Sequence, residues 1–241
     1  MMIDALDKLL QKYPTDNPWV KAIMAFFPIT SSIDAWLTSR LDTIARERIE
    51  AFLDELINNN VDLTPELIES EDFLHCFMKT IQAVLHTRRR EKIRFFARLL
   101  SSSVVENLIN DVNEFEDYLS ILDDLSYREL TILFLLDEWQ ARAETVYKIK
   151  YPREPNNGLT DYKLLNDAQR SHVIWGEFKN DLKIKLDIPE NEIDSLFFRI
   201  VRTGCYEIFA GKYMGPLDSE GQLTPLYYHL KKLIQNNGDN N

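Results

Sequence analysis

The chain has 241 residues, 45% hydrophobic and 28% charged, enough for one large cored domain or two small ones, and its composition fits an ordinary globular protein. Its formal charge of −11 and isoelectric point near 4.9 oppose long-range attraction of a polyanion. The first 125 residues hold 13 Lys and Arg against 22 Asp and Glu, and the remainder 15 against 17, so the acidity is concentrated in the N-terminal part.

With seven glycines and with apolar and charged residues recurring at helical spacings, the chain reads as mostly α-helix. Ile3, Leu6, Leu9 and Leu10 predict a short amphipathic helix over 1–13, ended by Pro14. A second runs from Trp19 to Phe27 and stops at Pro28. The apolar stretch AIMAFFPI at 22–29 is far too short to span a bilayer and reads as buried core. The segment from Ile29 to Asn60 follows as a long helix, capped by Thr30 or Ser31 and ended by Asn58 to Asn60. Its apolar stripe includes Ile33, Trp36, Leu37, Leu41, Ile44, Phe52, Leu53 and Leu56.

Thr64-Pro65 opens the next helix, with proline where a missing N–H costs nothing. SEDFLHCFMKTIQAVLHT and RRREKIRFFARLLSSSVVENLI follow as one long helix or two abutting ones, then NEFEDYLSILDDL as another. Ser126-Tyr-Arg-Glu129 is a capping box that launches LTILFLLDEW. YPREPNNGLT, 151–160, is the clearest loop, and HVIWGEFKNDLKIKLDI is a helix beyond it.

Pro189 sits at the start of a helix running to about Thr203, in which Ile193, Leu196, Phe197, Ile200 and Val201 form one buried face. Gly204 is placed to end it in the left-handed conformation. CYEIF and QLT read as strands, and Thr224-Pro225 starts a closing helix. The expected architecture is therefore mainly α. An acidic helical bundle over 1–125 is followed by a winged-helix-like domain over 126–235 with a two-stranded hairpin, an inserted loop near 151–160, and a disordered tail over 236–241.

Helix 189–203 looks like a recognition helix, yet its leading end carries Glu190, Glu192 and Asp194, which face a duplex poorly. Arg199, Arg202 and, from the wing, Lys212 are the candidates for phosphate contact. Phe198 on the exposed face is a candidate anchor for a protein partner, as are Trp19, Tyr227 and Tyr228 if they reach the surface. The strongest basic feature is HTRRREKIRFFARLL, where Arg90, Arg94 and Arg98 recur at every fourth position. That stripe either grips an acidic partner or neutralises the acidic helices of its own chain.

His75, His86, His172 and His229 form no metal-binding pair, no glycine-rich phosphate loop exists, and no carboxylate pair is marked by its spacing. Cys76 and Cys205 lie far apart and read as buried, reduced thiols. No secretory leader is legible, so the expectation is a cytoplasmic protein without cofactor, not an enzyme, that binds another protein or itself.

REKIRFFARLLSSSV, followed by FEDYLSILDDLSYRELTILFLLDE, resembles helical proteins of bacteria such as the abortive-infection alpha family. The shared pattern is a charged helix ending in a leucine pair and small residues, then a helix start of the Leu-Ser/Thr-x-x-Glu/Asp kind. FFRIVRTGCYEI and GQLTPLYYHLKKLI are similar to the closing winged-helix unit often found in such chains. The resemblance covers 88–235 and carries no catalytic residues. It implies a bacterial, non-enzymatic protein with a link to phage or stress defence.

Overall fold

A computed structural model describes residues 17–21, 40–59, 61, 63–151, 162–209 and 219–235. The predicted helix over 1–13, the beginning of the helix after Pro28, nearly all of the 151–160 loop and the 236–241 tail lie outside the described residues. The protein is mainly helical with a small two-stranded antiparallel sheet, and it divides into two compact units. The first comprises 1–123 with 230–241, and the second comprises 124–229. No described helix is long and apolar enough to cross a membrane.

In the first unit, helix α1 (Arg40–Asn58) packs on helices α3 (Glu71–His86) and α4 (Arg90–Val105). The short α2 (Pro65–Ile68) is capped by Thr64, whose side chain accepts from the Leu67 N–H at 3.3 Å. Ser70 caps α3 in the same way, and Glu71 and Asp72 sit at the positive end of its dipole. Thr87 and Arg89 are extended, with ψ of 129° and 120°, so the ambiguous stretch is two helices rather than one. Past a single 3₁₀ turn, Leu108–Asn110, α5 (Val112–Asp124) follows.

Phe52, Leu53, Leu56, Phe73, Phe77 and Phe96 lose essentially all contact with water, each burial stabilising the fold by about 1.5–3 kcal/mol. Trp19 is equally buried and lies 6.1 Å from Phe73, ring centre to ring centre. Ile44, expected in the apolar stripe of α1, is instead 44% exposed.

In the second unit, α6 (Tyr127–Lys150) starts at the predicted capping box and lies along α7 (Asp167–Leu186). The Trp139 indole donates to Asp181 at 3.0 Å, and the Lys150 ammonium donates to the Val173 carbonyl at 2.6 Å. α7 begins at Asp167, five residues before the predicted start at His172, at a second capping box between Asn166 and Gln169. Helix α8 (Glu190–Val201) buries Ile193, Leu196, Phe197 and Ile200, with Val201 only half-buried. Phe197 stands against Trp175, Phe178 and Tyr206, the nearest ring centre at 4.8 Å.

Gly204 has φ of +76°, a left-handed residue that lets the chain leave α8 and enter β1 (Tyr206–Ile208). β1 pairs with β2 (Gly221–Leu223), Tyr206 opposite Leu223 and Ile208 opposite Gly221. A Cβ on Gly221 would lie 2.0 Å from the Glu207 carbonyl oxygen, so only glycine permits this approach. The hairpin is fastened to α8: the Tyr206 hydroxyl donates to the Ser219 carbonyl at 2.7 Å, and the Ser219 hydroxyl donates to Asp194 at 2.6 Å. Thr224 accepts from the Tyr227 N–H and so caps the closing helix α9 (Pro225–Ile234).

Candidate interaction site at the end of helix α8

The face of α8 turned away from the core carries Asn191, Glu192, Ser195, Phe198, Arg199 and Arg202, all exposed. Phe198 keeps 40% of its surface in water although its chain neighbour Phe197 keeps none. The hundred-degree step between successive helical residues separates the two rings.

The polar residues of this face are tied internally to different degrees. Glu190 takes an ion pair from Lys183 at 2.6 Å, which holds its carboxyl below the usual carboxylate range. Asp194 accepts from the Ser219 hydroxyl and is partly covered. The leading end is thus less starkly acidic than three free carboxylates. Glu192 alone remains there as an exposed carboxylate without a partner among the described residues.

At the trailing end, Arg199 reaches across to the first turn of α6, where its Nη2 lies 2.8 Å from Glu129 Oε1. Glu129 is 3% exposed, and its other oxygen accepts from the Ser126 N–H at 2.8 Å within the capping box. A buried carboxylate needs such partners, and here one oxygen has a guanidinium and the other a backbone donor. Arg199 is consequently a tether as well as a surface cation.

Beside this pair opens a cavity of about 220 Å³ lined by Asp124, Leu125, Glu129, Arg199, Arg202 and Thr203, all within the second unit. Arg202 is exposed and, among the described residues, has no carboxylate partner. Nearby helix ends use their cations otherwise: Lys185 pairs with Asp181 at 2.9 Å, and Arg128 donates to the Asp187 carbonyl at 3.3 Å. Lys212 lies outside the described residues.

The arginine stripe of α4 is placed on the first unit's own acidic helix. Arg98 donates to Glu55 at 2.6 Å, both side chains nearly buried, while Arg94 and Arg90 approach Glu55 and Asp54 at 3.7 and 3.8 Å. Exposure grades along the stripe, from 14% for the Arg98 side chain to 64% for that of Arg90. Of the other aromatic candidates, Trp19 and Tyr227 are buried, and Tyr228 is 44% exposed with its hydroxyl 3.4 Å from Gln140.

Sequence reasoning did not bring out Glu129 as a site residue. It reads there as a helix cap, and the arginine that meets it lies seventy residues away in the chain. Both cysteines are buried, and burial pushes the Cys76 thiol up to about 12, with Asp72 and Glu116 adding to the effect. His75 and His172 rest against Glu116 and Glu220, and no cluster of three or more His, Cys, Asp or Glu fit to hold a metal occurs among the described residues.

Compared with known proteins, the chain matches no family model, no curated protein and no solved structure, so the roles of these residues rest on their geometry alone.

Proposed function

We propose that the chain is a non-enzymatic helical protein-interaction module, of the bacterial kind, with Phe198 and Arg202 as its contact residues. The supporting observation is the Arg199–Glu129 pair at 2.8 Å, which ties one of the two described phosphate candidates to a carboxylate of its own unit. A groove-reading helix needs several uncompensated cations, since each neutralised phosphate releases a counterion and contributes to affinity. Of the two described phosphate candidates, Arg202 alone is left without a carboxylate partner among the described residues. A half-exposed aromatic ring next to a single free arginine instead has the composition of a protein hot spot.

The stripe Arg90, Arg94 and Arg98 has a smaller part in this reading, because Asp54 and Glu55 already occupy it. The second reading, a winged-helix DNA-binding regulator, draws on the order of elements α6, α7, α8, β1, β2 and α9. A titration against random duplex DNA at low and moderate salt separates the two. The protein-binding reading expects no saturable complex. Binding that falls steeply with salt, and falls again in Arg202→Glu, supports the regulator.

A further inference from the structure

We propose that the cavity at the trailing end of α8 receives a carboxylate side chain from an acidic segment of a partner protein, with a neighbouring apolar side chain of that segment lying on Phe198. This rests on the protein-interaction reading and names the chemistry of its partner.

The cavity, about 220 Å³ and open to solvent on one side, has room for an aspartate or glutamate side chain with waters left in place. The charges along the wall select the occupant. Glu129 is already engaged at both oxygens, by Arg199 and by the Ser126 N–H, so it neither attracts nor strongly repels a newcomer. Arg202 has no carboxylate among the described residues, and its planar fork of N–H donors matches a carboxylate with two parallel hydrogen bonds. Asp124, exposed on the same wall, opposes a dianionic phosphate more than a singly charged carboxylate, and it is an acceptor for the N–H groups that accompany a peptide.

The apolar half of the contact follows from helical spacing. Phe198 stands four positions before Arg202, hence one turn away on the same face of the helix line, and is 40% exposed. A segment that places an acidic side chain in the cavity therefore passes the Phe198 ring with a residue a few positions off.

The test uses the full chain labelled with nitrogen-15 and follows the arginine Nε–Hε resonances. Three probes are added separately: the blocked peptide acetyl-Phe-Leu-Asp-Glu-amide, its Asn-Gln counterpart, and inorganic phosphate. The acidic peptide is expected to shift the Arg202 resonance saturably, and to bind up to about fivefold more tightly than the amide counterpart, the worth of an exposed ion pair. Arg202→Gln abolishes the saturable shift of the neighbouring Arg199 resonance, and Phe198→Ala weakens binding severalfold. Equal binding of the two peptides, or no Arg202 shift with any probe, overturns the proposal and leaves the protein-interaction reading standing. Phosphate acting more strongly than the acidic peptide, together with displacement by duplex DNA, overturns both.

Discussion

Arg199 and Glu129, far apart in the chain, meet at 2.8 Å where the last turn of α8 faces the first turn of α6. The contact joins a helix cap to the helix that otherwise looks fit to read DNA, and it explains why the cap residue is almost wholly buried. Glu129 serves the backbone with one oxygen and the guanidinium with the other, so these two roles separate by mutation.

Ser126→Ala removes the cap acceptor for the Glu129 N–H, and urea unfolding should show a loss of about 1 kcal/mol, the ordinary cost of deleting such a cap. Glu129→Gln retains a side chain able to reach the Ser126 N–H and loses only its charge. Its cost is expected to be the smaller of the capping effects plus a solvent-screened ion pair, about 1 kcal/mol or less because the Arg199 side chain is 54% exposed.

The stripe on α4 predicts a gradient. Arg98→Ala strands the nearly buried Glu55 with only the looser Arg94 contact at 3.7 Å, and about 3 kcal/mol of stability should be lost. Arg90→Ala, at a side chain 64% exposed and 3.8 Å from Asp54, should change stability by less than about 0.5 kcal/mol. Denaturant midpoints of the two variants side by side check this. Equal losses contradict the packed pairing of Arg98.

Acid should weaken the packing of α6 on α7 through Asp181. Its hydrogen bond from Lys185, helped by the Trp139 indole, holds the carboxyl below its ordinary value of 3.8. A carboxyl depressed in the folded state adds stability above its unfolded value, and that stability fades as pH falls through the folded one. Unfolding curves at pH 7 and at about pH 3 should therefore show part of the acid-induced loss missing in Asp181→Asn, which keeps an acceptor for the indole. An identical pH dependence in both proteins contradicts this role.

The thiols give a further check on the cores of both units. Burial raises Cys76 to about 12 and pushes Cys205 up as well, so neither is thiolate at neutral pH. A disulfide reagent at pH 8 should find no rapidly reacting thiol in the folded protein and two in urea. A fast native reaction places at least one cysteine at the surface.

Much of the fold was legible where a local rule acts alone. The Ser126–Glu129 box, the Thr64-Pro65 start, the left-handed Gly204 and the buried face of α8 depend on residues within a turn or two of each other. The capping box at Asn166 obeys the same rule, but the apolar residues that mark the helix in the sequence begin later. What sequence could not supply is the partner of each charge. The same spacing that makes Arg90, Arg94 and Arg98 a stripe leaves open whether it faces solvent, and only the packing of α1 on α4 brings Glu55 beneath Arg98. Likewise Glu190 looks like a bare acid until Lys183 of the preceding helix reaches it.

A double-mutant cycle on Arg199→Ala and Glu129→Gln, read from urea unfolding, tests most directly whether that arginine is tied within its own unit. A favourable coupling of about 0.5–1 kcal/mol is expected for a pair with one buried and one half-exposed member. A coupling indistinguishable from zero would contradict the account, leaving Arg199 as free as Arg202 to meet a phosphate backbone.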